Sequence, residues 1–136
     1  MFLWVILSAS LGLSSVQEAM QLYAGGHHSE ARRMLEAIAR AEPANFDAHF
    51  RLGLVALDGK DLPTAVSSLS RAAQLQPTHA QVWLALARTQ WKSNNRKLAA
   101  EAADRAERLA ANDPVTRHGL ALYHWEAGNW TRAATL

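Results

Sequence analysis

Apolar residues recur along this chain at the spacing of amphipathic helices, most clearly between residues 46 and 79. In the first half of this stretch they cover more than one face, which predicts a helix buried on two sides between neighbours. The second half has one apolar face and predicts a second helix. Asp58-Gly59-Lys60 separates the two halves, Pro63 stands where the second helix would begin, and Pro77 ends it.

This two-helix pattern returns with a period of about 34 residues, which predicts a tandem array. Within each unit a leucine is followed by a small residue, an alanine marks the second helix, and a proline closes the unit. The columns are Leu52, Leu86 and Leu120; Ala19, Gly53, Ala87 and Ala121; Ala31, Ala65, Ala99 and Ala133; and Pro43 and Pro77. We expect repeats near 12–45, 46–79 and 80–113, and an incomplete one at 114–136.

Small residues at fixed positions predict close contacts between helices. A glycine inside a helix costs about 1 kcal/mol relative to alanine, so Gly53 indicates a contact with no room for a side chain. Ala65 has the same role on the second helix. A larger side chain at position 53 is expected to overpack this contact by about 1–3 kcal/mol.

Two helices in each repeat, with Leu52-Gly53 in the first, Ala65 in the second and Pro77 at the end, resemble the tetratricopeptide repeat from Gly12 onward. The resemblance implies an all-α, right-handed solenoid of antiparallel helix pairs. The inner surface of such a solenoid, lined by the first helices, usually binds a peptide or a helix of another protein. Pentatricopeptide RNA-binding proteins are the nearest alternative, but their period is slightly longer and this chain shows no slippage.

The resemblance also implies which side chains line the inner groove, and these are mostly apolar or aromatic around one central charge. The predicted partner-binding residues are Tyr23, Phe50, Leu54, Leu84, Arg88, Trp91, Leu122 and Trp125. Tetratricopeptide domains that clamp the C-terminal carboxylates of chaperones carry Lys, Arg and Asn on this face, and that set is absent here. We therefore expect a protein partner that presents an apolar or amphipathic helix. The alternative is that several of these residues form the core between adjacent repeats.

Two further interpretations compete with a groove-binding module. The predicted second helix of the fourth repeat is short, which leaves an apolar end on the array. Such an end indicates either a fragment of a longer array or a surface covered by a second copy or a partner. The protein would then be a self-associating spacer, or an accessory region of a longer protein or enzyme.

Composition argues against catalysis, cofactors and nucleic acid. With 14 basic and 12 acidic residues the net charge is +2, too balanced to favour nucleic-acid binding. The chain has no cysteine, which excludes disulfides and thiol catalysis. No nucleophile elbow, P-loop or dinucleotide fingerprint appears. We predict a protein that is not an enzyme and uses no cofactor or metal.

Charged side chains on the second helices are predicted to be solvated. Glu101 and Asp104 precede Arg105 and Arg108 by four residues each, which predicts ordinary surface ion pairs. The six histidines show no strong metal-ligand spacing. We expect them to be exposed or to line the groove.

Residues 1–13 are apolar and uncharged, in contrast to the rest of the chain. The run is too short to span a bilayer, which needs about 20 residues. It is typical of the hydrophobic region of a secretory signal, although no Lys or Arg precedes it. We expect a signal peptide or membrane anchor on an exported, periplasmic or membrane-tethered protein. The alternative is a helical cap on the first repeat of a cytoplasmic protein.

Overall fold

The computed structural model describes residues 15–136, and within this range it contains eight helices and no strand. Helix α1 covers residues 15–24. The others are α2 His28–Ala41, α3 Phe46–Asp58, α4 Leu62–Leu75, α5 Ala80–Lys92, α6 Arg96–Leu109, α7 Pro114–Glu126 and α8 Trp130–Thr135. They form four pairs, each a first helix (α1, α3, α5, α7) followed by a second helix (α2, α4, α6, α8). The predicted all-α array of helix pairs is confirmed.

The turn inside each pair has the same backbone conformation in all four repeats. One residue in it has a positive φ: Gly26 (89°), Lys60 (61°), Asn94 (63°) and Gly128 (77°). These positions are equivalent in successive repeats. Asparagine visits this left-handed region more readily than other non-glycine residues, whereas lysine has no such advantage. The turn therefore imposes its geometry on Lys60.

Capping side chains and prolines fix the helix starts. Asn45 accepts a hydrogen bond from the backbone N–H of Ala48 at 3.0 Å, and Asp61 accepts one from that of Thr64 at 3.2 Å. Pro63 lies in the first turn of α4, where its missing N–H leaves no bond unmade. The predicted start of this second helix is confirmed.

Helix packing separates two sides of the array. Within repeats α3 packs on α4 and α5 on α6, and between repeats α2 packs on α3 and α4 on α5. The first helices also contact one another directly, α3 with α5 and α5 with α7. We call the side formed by the first helices the inner face and the side formed by the second helices the outer face.

The recurrent leucine and alanine columns form the core. Buried members, each at most 6% exposed, are Leu52, Leu86, Leu120, Ala31, Ala65 and Ala99. A Cβ atom built on Gly53 would lie 2.5 Å from Cγ of Leu69 on α4, which is itself fully buried. The close contact predicted from the glycine in α3 is therefore confirmed.

The predicted signal peptide, anchor or cap at residues 1–13 lies outside the described residues, and export stays a prediction. Among residues 15–136 no helix has both the length and the apolar character needed to cross a membrane.

Candidate functional site

One column of the repeat places a side chain on the inner face in the middle of every first helix. Met20, Leu54, Arg88 and Leu122 occupy this equivalent position on α1, α3, α5 and α7. Met20 and Leu54 are partly buried, whereas Arg88 is exposed and Leu122 is 53% exposed. Because neighbouring first helices pack together, these side chains form a row across the inner face, which we call the inner stripe. Three of the predicted partner-binding residues belong to it.

Two other predicted residues lie mainly between repeats. Phe50 is 7% exposed, and its ring stacks on Phe46 with centroids 5.6 Å apart and lies 5.4 Å from the ring of His79. Leu84 is partly buried, and a Cβ on Gly119 of α7 would collide with it. Both side chains offer a partner little surface, as the core interpretation of these positions expects.

The remaining three, Tyr23, Trp91 and Trp125, lie at the ends of first helices and pack across the following turn. In each repeat the partner is five residues further along the chain. The pairs are Tyr23 with His28, Trp91 with Arg96, and Trp125 with Trp130. In the second repeat the equivalent Leu62 packs against the apolar cluster that contains Leu57. Ring centroids are 4.6 Å apart in the first pair and 4.5 Å in the last, and the Arg96 guanidinium carbon lies 3.4 Å from the Trp91 centroid.

These turn pairs were not identified from the sequence, although the signal is present. When the four repeats are aligned, each has two larger side chains five residues apart, one at the end of the first helix and one at the start of the second. The members change from aromatic to aliphatic to cationic, so no single residue type marks the column. Their packing indicates that Tyr23 and Trp91 stabilise the turn as well as border the inner face.

Turn pairs also link each repeat to the next. The Tyr23 hydroxyl donates a hydrogen bond to Asp58 at 2.6 Å, and this bond raises the pKa of Tyr23. The rings of Trp91 and Tyr123, the latter in the fourth repeat, pack almost perpendicular to each other with centroids 6.0 Å apart. Trp125 is the counterpart of Trp91, and it is 61% exposed.

Three large apolar side chains are exposed close together near the end of α7 and the start of α8. Leu122, Trp125 and Trp130 are 53%, 61% and 56% exposed, and we call them the C-terminal face. Large apolar surfaces of this kind commonly mark interaction sites.

The inner face also carries unpaired positive charge. Arg88 and Lys92 are exposed one turn apart on α5, and within residues 15–136 neither has a carboxylate partner. By contrast Arg51 on α3 is paired with Asp47 at 3.1 Å. A groove of about 600 Å³ between α1 and α3 includes Met20 of the inner stripe. The face thus combines apolar side chains with cations at its centre.

One histidine departs from the expectation that these residues are exposed. His124 is 6% exposed, and its Nε2 lies 2.6 Å from Glu107 Oε1, across the α6/α7 contact. Arg132 of α8 donates to the same carboxylate from both Nε and Nη2. Burial alone would raise the pKa of Glu107, but the bonds from Arg132 and His124 outweigh it and hold the pKa below its ordinary value. Sequence spacing could not show this pairing because the residues lie on different helices.

The predicted ion pairs on α6 do not form. Arg105 and Arg108 have no carboxylate partner in the described structure, and the Arg105 guanidinium carbon instead lies 4.4 Å from the centroid of Trp83. The prediction from four-residue spacing was wrong, and for Arg105 the reason is that the Trp83 ring of α5 competes for its guanidinium. Among residues 15–136, no three His, Asp or Glu side chains cluster so as to hold a metal ion.

Comparisons with known proteins agree with this architecture. A family model described as "Tetratricopeptide repeat" matches residues 16–80 and 63–114. MamA (41-end) from Desulfovibrio magneticus RS-1 superposes with a TM-score of 0.77 at 19% identity, covering 91% of this chain and 70% of that chain. The Yersinia enterocolitica type III secretion translocator chaperone SycD gives 0.75 at 14% identity, covering 87% and 95%.

A larger protein contains the same kind of array. The Thermobaculum terrenum O-GlcNAc transferase superposes with a TM-score of 0.76 at 20% identity, covering 85% of this chain but only 22% of the transferase chain. At these identities the likeness establishes the fold alone. No curated protein matches this chain.

Proposed function

Because this chain belongs to the tetratricopeptide repeat family, we propose that it is a protein-interaction module that docks a segment of a partner along the inner stripe. The observation that carries the proposal is the stripe itself. Each of four first helices contributes one side chain at the same position, and together they give a row of apolar groups interrupted by Arg88.

The chemistry of the stripe defines the kind of segment that fits. Met20, Leu54 and Leu122 favour apolar side chains, and a helix offers such side chains at regular intervals along one face. Arg88 and Lys92 lack a carboxylate partner among the described residues, so they favour an acidic residue in the middle of the segment. The partner is therefore an amphipathic helix or short peptide with apolar residues on both sides of a carboxylate.

Partner capture from the native source, read by mass spectrometry, tests this proposal. The variant Leu54→Glu/Leu122→Glu is compared with Ser67→Glu/Ala100→Glu, which adds the same charge at exposed outer-face positions. We expect a partner retained by wild type and the control and lost from the inner variant.

Arg88→Glu provides a second inner-face variant that leaves the core intact, because Arg88 is exposed. Helicity by circular dichroism must match wild type in each variant. Equal capture by all of them would contradict docking on the inner stripe.

A second candidate function is self-association through the C-terminal face. The observation that favours it is the exposure of Trp125, whose counterpart Trp91 lies against the next repeat. Sedimentation velocity over a range of concentrations should then give a mass that rises with concentration and falls to the monomer in Trp125→Glu. Leu98→Glu, an equally apolar exposed position on α6, serves as the control, and a monomer at all concentrations would contradict the idea.

A further inference from the structure

The outer face contains two grooves one repeat apart. The first, about 350 Å³, lies between α2 and α4 over His49 and Leu52 of α3. The second, about 390 Å³, lies between α4 and α6 over Trp83 and Leu86 of α5. The residues at their bases occupy equivalent positions of successive repeats. We call the second one the outer groove.

A common contact forms the base of both grooves. His49 Nε2 lies 3.1 Å from the carbonyl oxygen of Pro43, and Trp83 donates its indole N–H to the carbonyl of Pro77 at 2.8 Å. Each ring is thereby held against the end of the preceding repeat. In the outer groove this gives a fixed aromatic surface.

Charged groups distinguish the two grooves. In the first, Arg71 donates to the Pro43 carbonyl at 3.3 Å and to Gln74 at 3.2 Å, and Glu36 is paired with Arg32. Arg40, which also lines this groove, is largely exposed, and its guanidinium lies 4.0 Å from Glu36. The charged groups of the first groove all have partners within the protein. The first groove therefore has little to offer a charged ligand.

The outer groove has two cations without a carboxylate partner in the described structure. Arg105 lies over the Trp83 ring, and Arg108 stands one turn further along α6. Leu98, on the same wall, is 49% exposed. An arginine stacked by its flat side on a ring keeps its N–H edges available for a carboxylate. Glu101 also lines this groove, so ligand carboxylates are favoured at the Arg105 and Arg108 end of the groove and disfavoured beside Glu101.

We propose that the outer groove binds an acidic peptide segment of a partner protein, with carboxylates on Arg105 and Arg108 and an apolar side chain against Trp83 and Leu98. Charge complementarity and the mixed aromatic and cationic surface select this ligand over an uncharged one. Helix α5 contributes Arg88 to the inner face and Trp83 to the outer groove, so the two sites occupy different sides of the array. One molecule of this protein can then hold two partner segments together.

The test uses the full chain and a synthetic acidic peptide, Gly-Glu-Asp-Phe-Glu-Asp-Leu-Gly, labelled with fluorescein. Its counterpart replaces every acidic residue by lysine and keeps the Phe and Leu. Fluorescence polarisation gives the affinity, and the indole N–H signals of the tryptophans in a ¹⁵N NMR spectrum report where the peptide binds. The variant Trp83→Phe lacks one indole N–H signal, which identifies the signal of Trp83.

We expect saturable binding of the acidic peptide, a shift of the Trp83 indole signal, and no binding of the lysine peptide. Arg105→Gln/Arg108→Gln should weaken binding by about tenfold or more, since each charge-assisted bond is worth about that factor. Arg33→Gln/Lys60→Gln removes the same charge from exposed positions outside the groove and outside the inner face and should change the affinity less than about twofold.

Three results would overturn the proposal. The first is a Trp83 signal that does not shift at millimolar peptide, and the second is an Arg105→Gln/Arg108→Gln variant that binds the peptide as tightly as wild type does. The third is displacement of the peptide by a single-stranded DNA oligonucleotide that binds more tightly through the same two arginines. Arg88→Gln separates this site from the inner stripe. Binding lost in Arg88→Gln but kept in Arg105→Gln/Arg108→Gln would place the peptide on the inner face and remove the outer site.

Discussion

The position of a residue in the repeat unit determines which residue type fits there best. Lys60 occupies a turn position whose backbone conformation suits glycine better. Its φ of 61° matches that of the turn glycines Gly26 and Gly128. The left-handed conformation costs a residue with a side chain about 1–2 kcal/mol. Glycine avoids this cost, but it loses more conformational entropy on folding, which offsets part of the gain.

We expect Lys60→Gly to raise the free energy of unfolding by about 0.5–1 kcal/mol, because it relieves the left-handed turn. Urea denaturation followed by circular dichroism measures the change. Lys60→Ala is the control and should show no such gain, since alanine keeps the Cβ. A loss of stability in Lys60→Gly would mean that the lysine side chain makes a contribution that outweighs backbone strain.

A single substitution at Gly53 tests how closely α3 packs on α4. In Gly53→Ala the new Cβ must displace Leu69, and overpacking by about 1–3 kcal/mol should exceed the gain of about 1 kcal/mol in helix propensity. Gly59→Ala is the matched control, because a Cβ there meets nothing closer than 3.4 Å. Thermal unfolding should show a lower Tm for Gly53→Ala alone. A higher Tm in that variant would show that Leu69 moves aside freely.

Whole helices differ in how firmly they are held, and α8 depends on few contacts. It has six residues, none of them buried, and Arg132 links it to Glu107 of α6. The same carboxylate receives His124 of α7. One side chain thus connects the last three helices.

Glu107→Ala should lower the free energy of unfolding by about 1–3 kcal/mol, because it leaves the buried His124 ring without its partner. Hydrogen exchange at residues 130–135 should speed up as α8 loses Arg132. Glu101→Ala removes an exposed carboxylate from the same helix and should stay within about 0.5 kcal/mol of wild type. Equal effects of the two substitutions would show that the cluster does not hold α8.

The contribution of Glu107 should also depend on pH. Its pKa in the folded protein lies below the ordinary 4.5, so folding favours the carboxylate form. The stabilisation is then fully present above pH 4.5 and is lost as pH falls through the lowered pKa. The difference in Tm between wild type and Glu107→Ala should therefore shrink steadily below pH 4.5. A difference that grows on acidification would contradict this assignment.

At the scale of the whole molecule, the period of the sequence was enough to predict the array, its helix pairs and its turns. Columns such as Leu52, Leu86 and Leu120 recur because each repeat buries the same positions against its neighbours. Gly53 predicted a close helix contact because glycine destabilises a helix and is expected inside one only where a side chain would not fit. These inferences depend on local spacing, which a sequence shows directly.

What the sequence could not resolve depends on contacts between different elements. Phe50 and Trp125 look alike as aromatic residues on first helices, yet one is 7% and the other 61% exposed. Arg105 packs on the ring of Trp83 although Glu101 is much closer to it in the sequence. His124 of α7 contacts Glu107 on a different helix, α6. A spacing rule within one helix cannot rank such competing partners.

The central claim is that a partner segment lies along the inner stripe, and position-specific photo-crosslinking measures this most directly. A benzoyl-phenylalanine residue is placed at position 21, an exposed glutamine beside Met20 in the groove between α1 and α3, or at the exposed position 37 on the outer face of α2, in otherwise wild-type protein in its native source. We predict a partner adduct from position 21 that is absent from position 37, with the crosslinked peptide rich in apolar and acidic residues. An adduct with the same partner from position 37, and none from position 21, would contradict the claim.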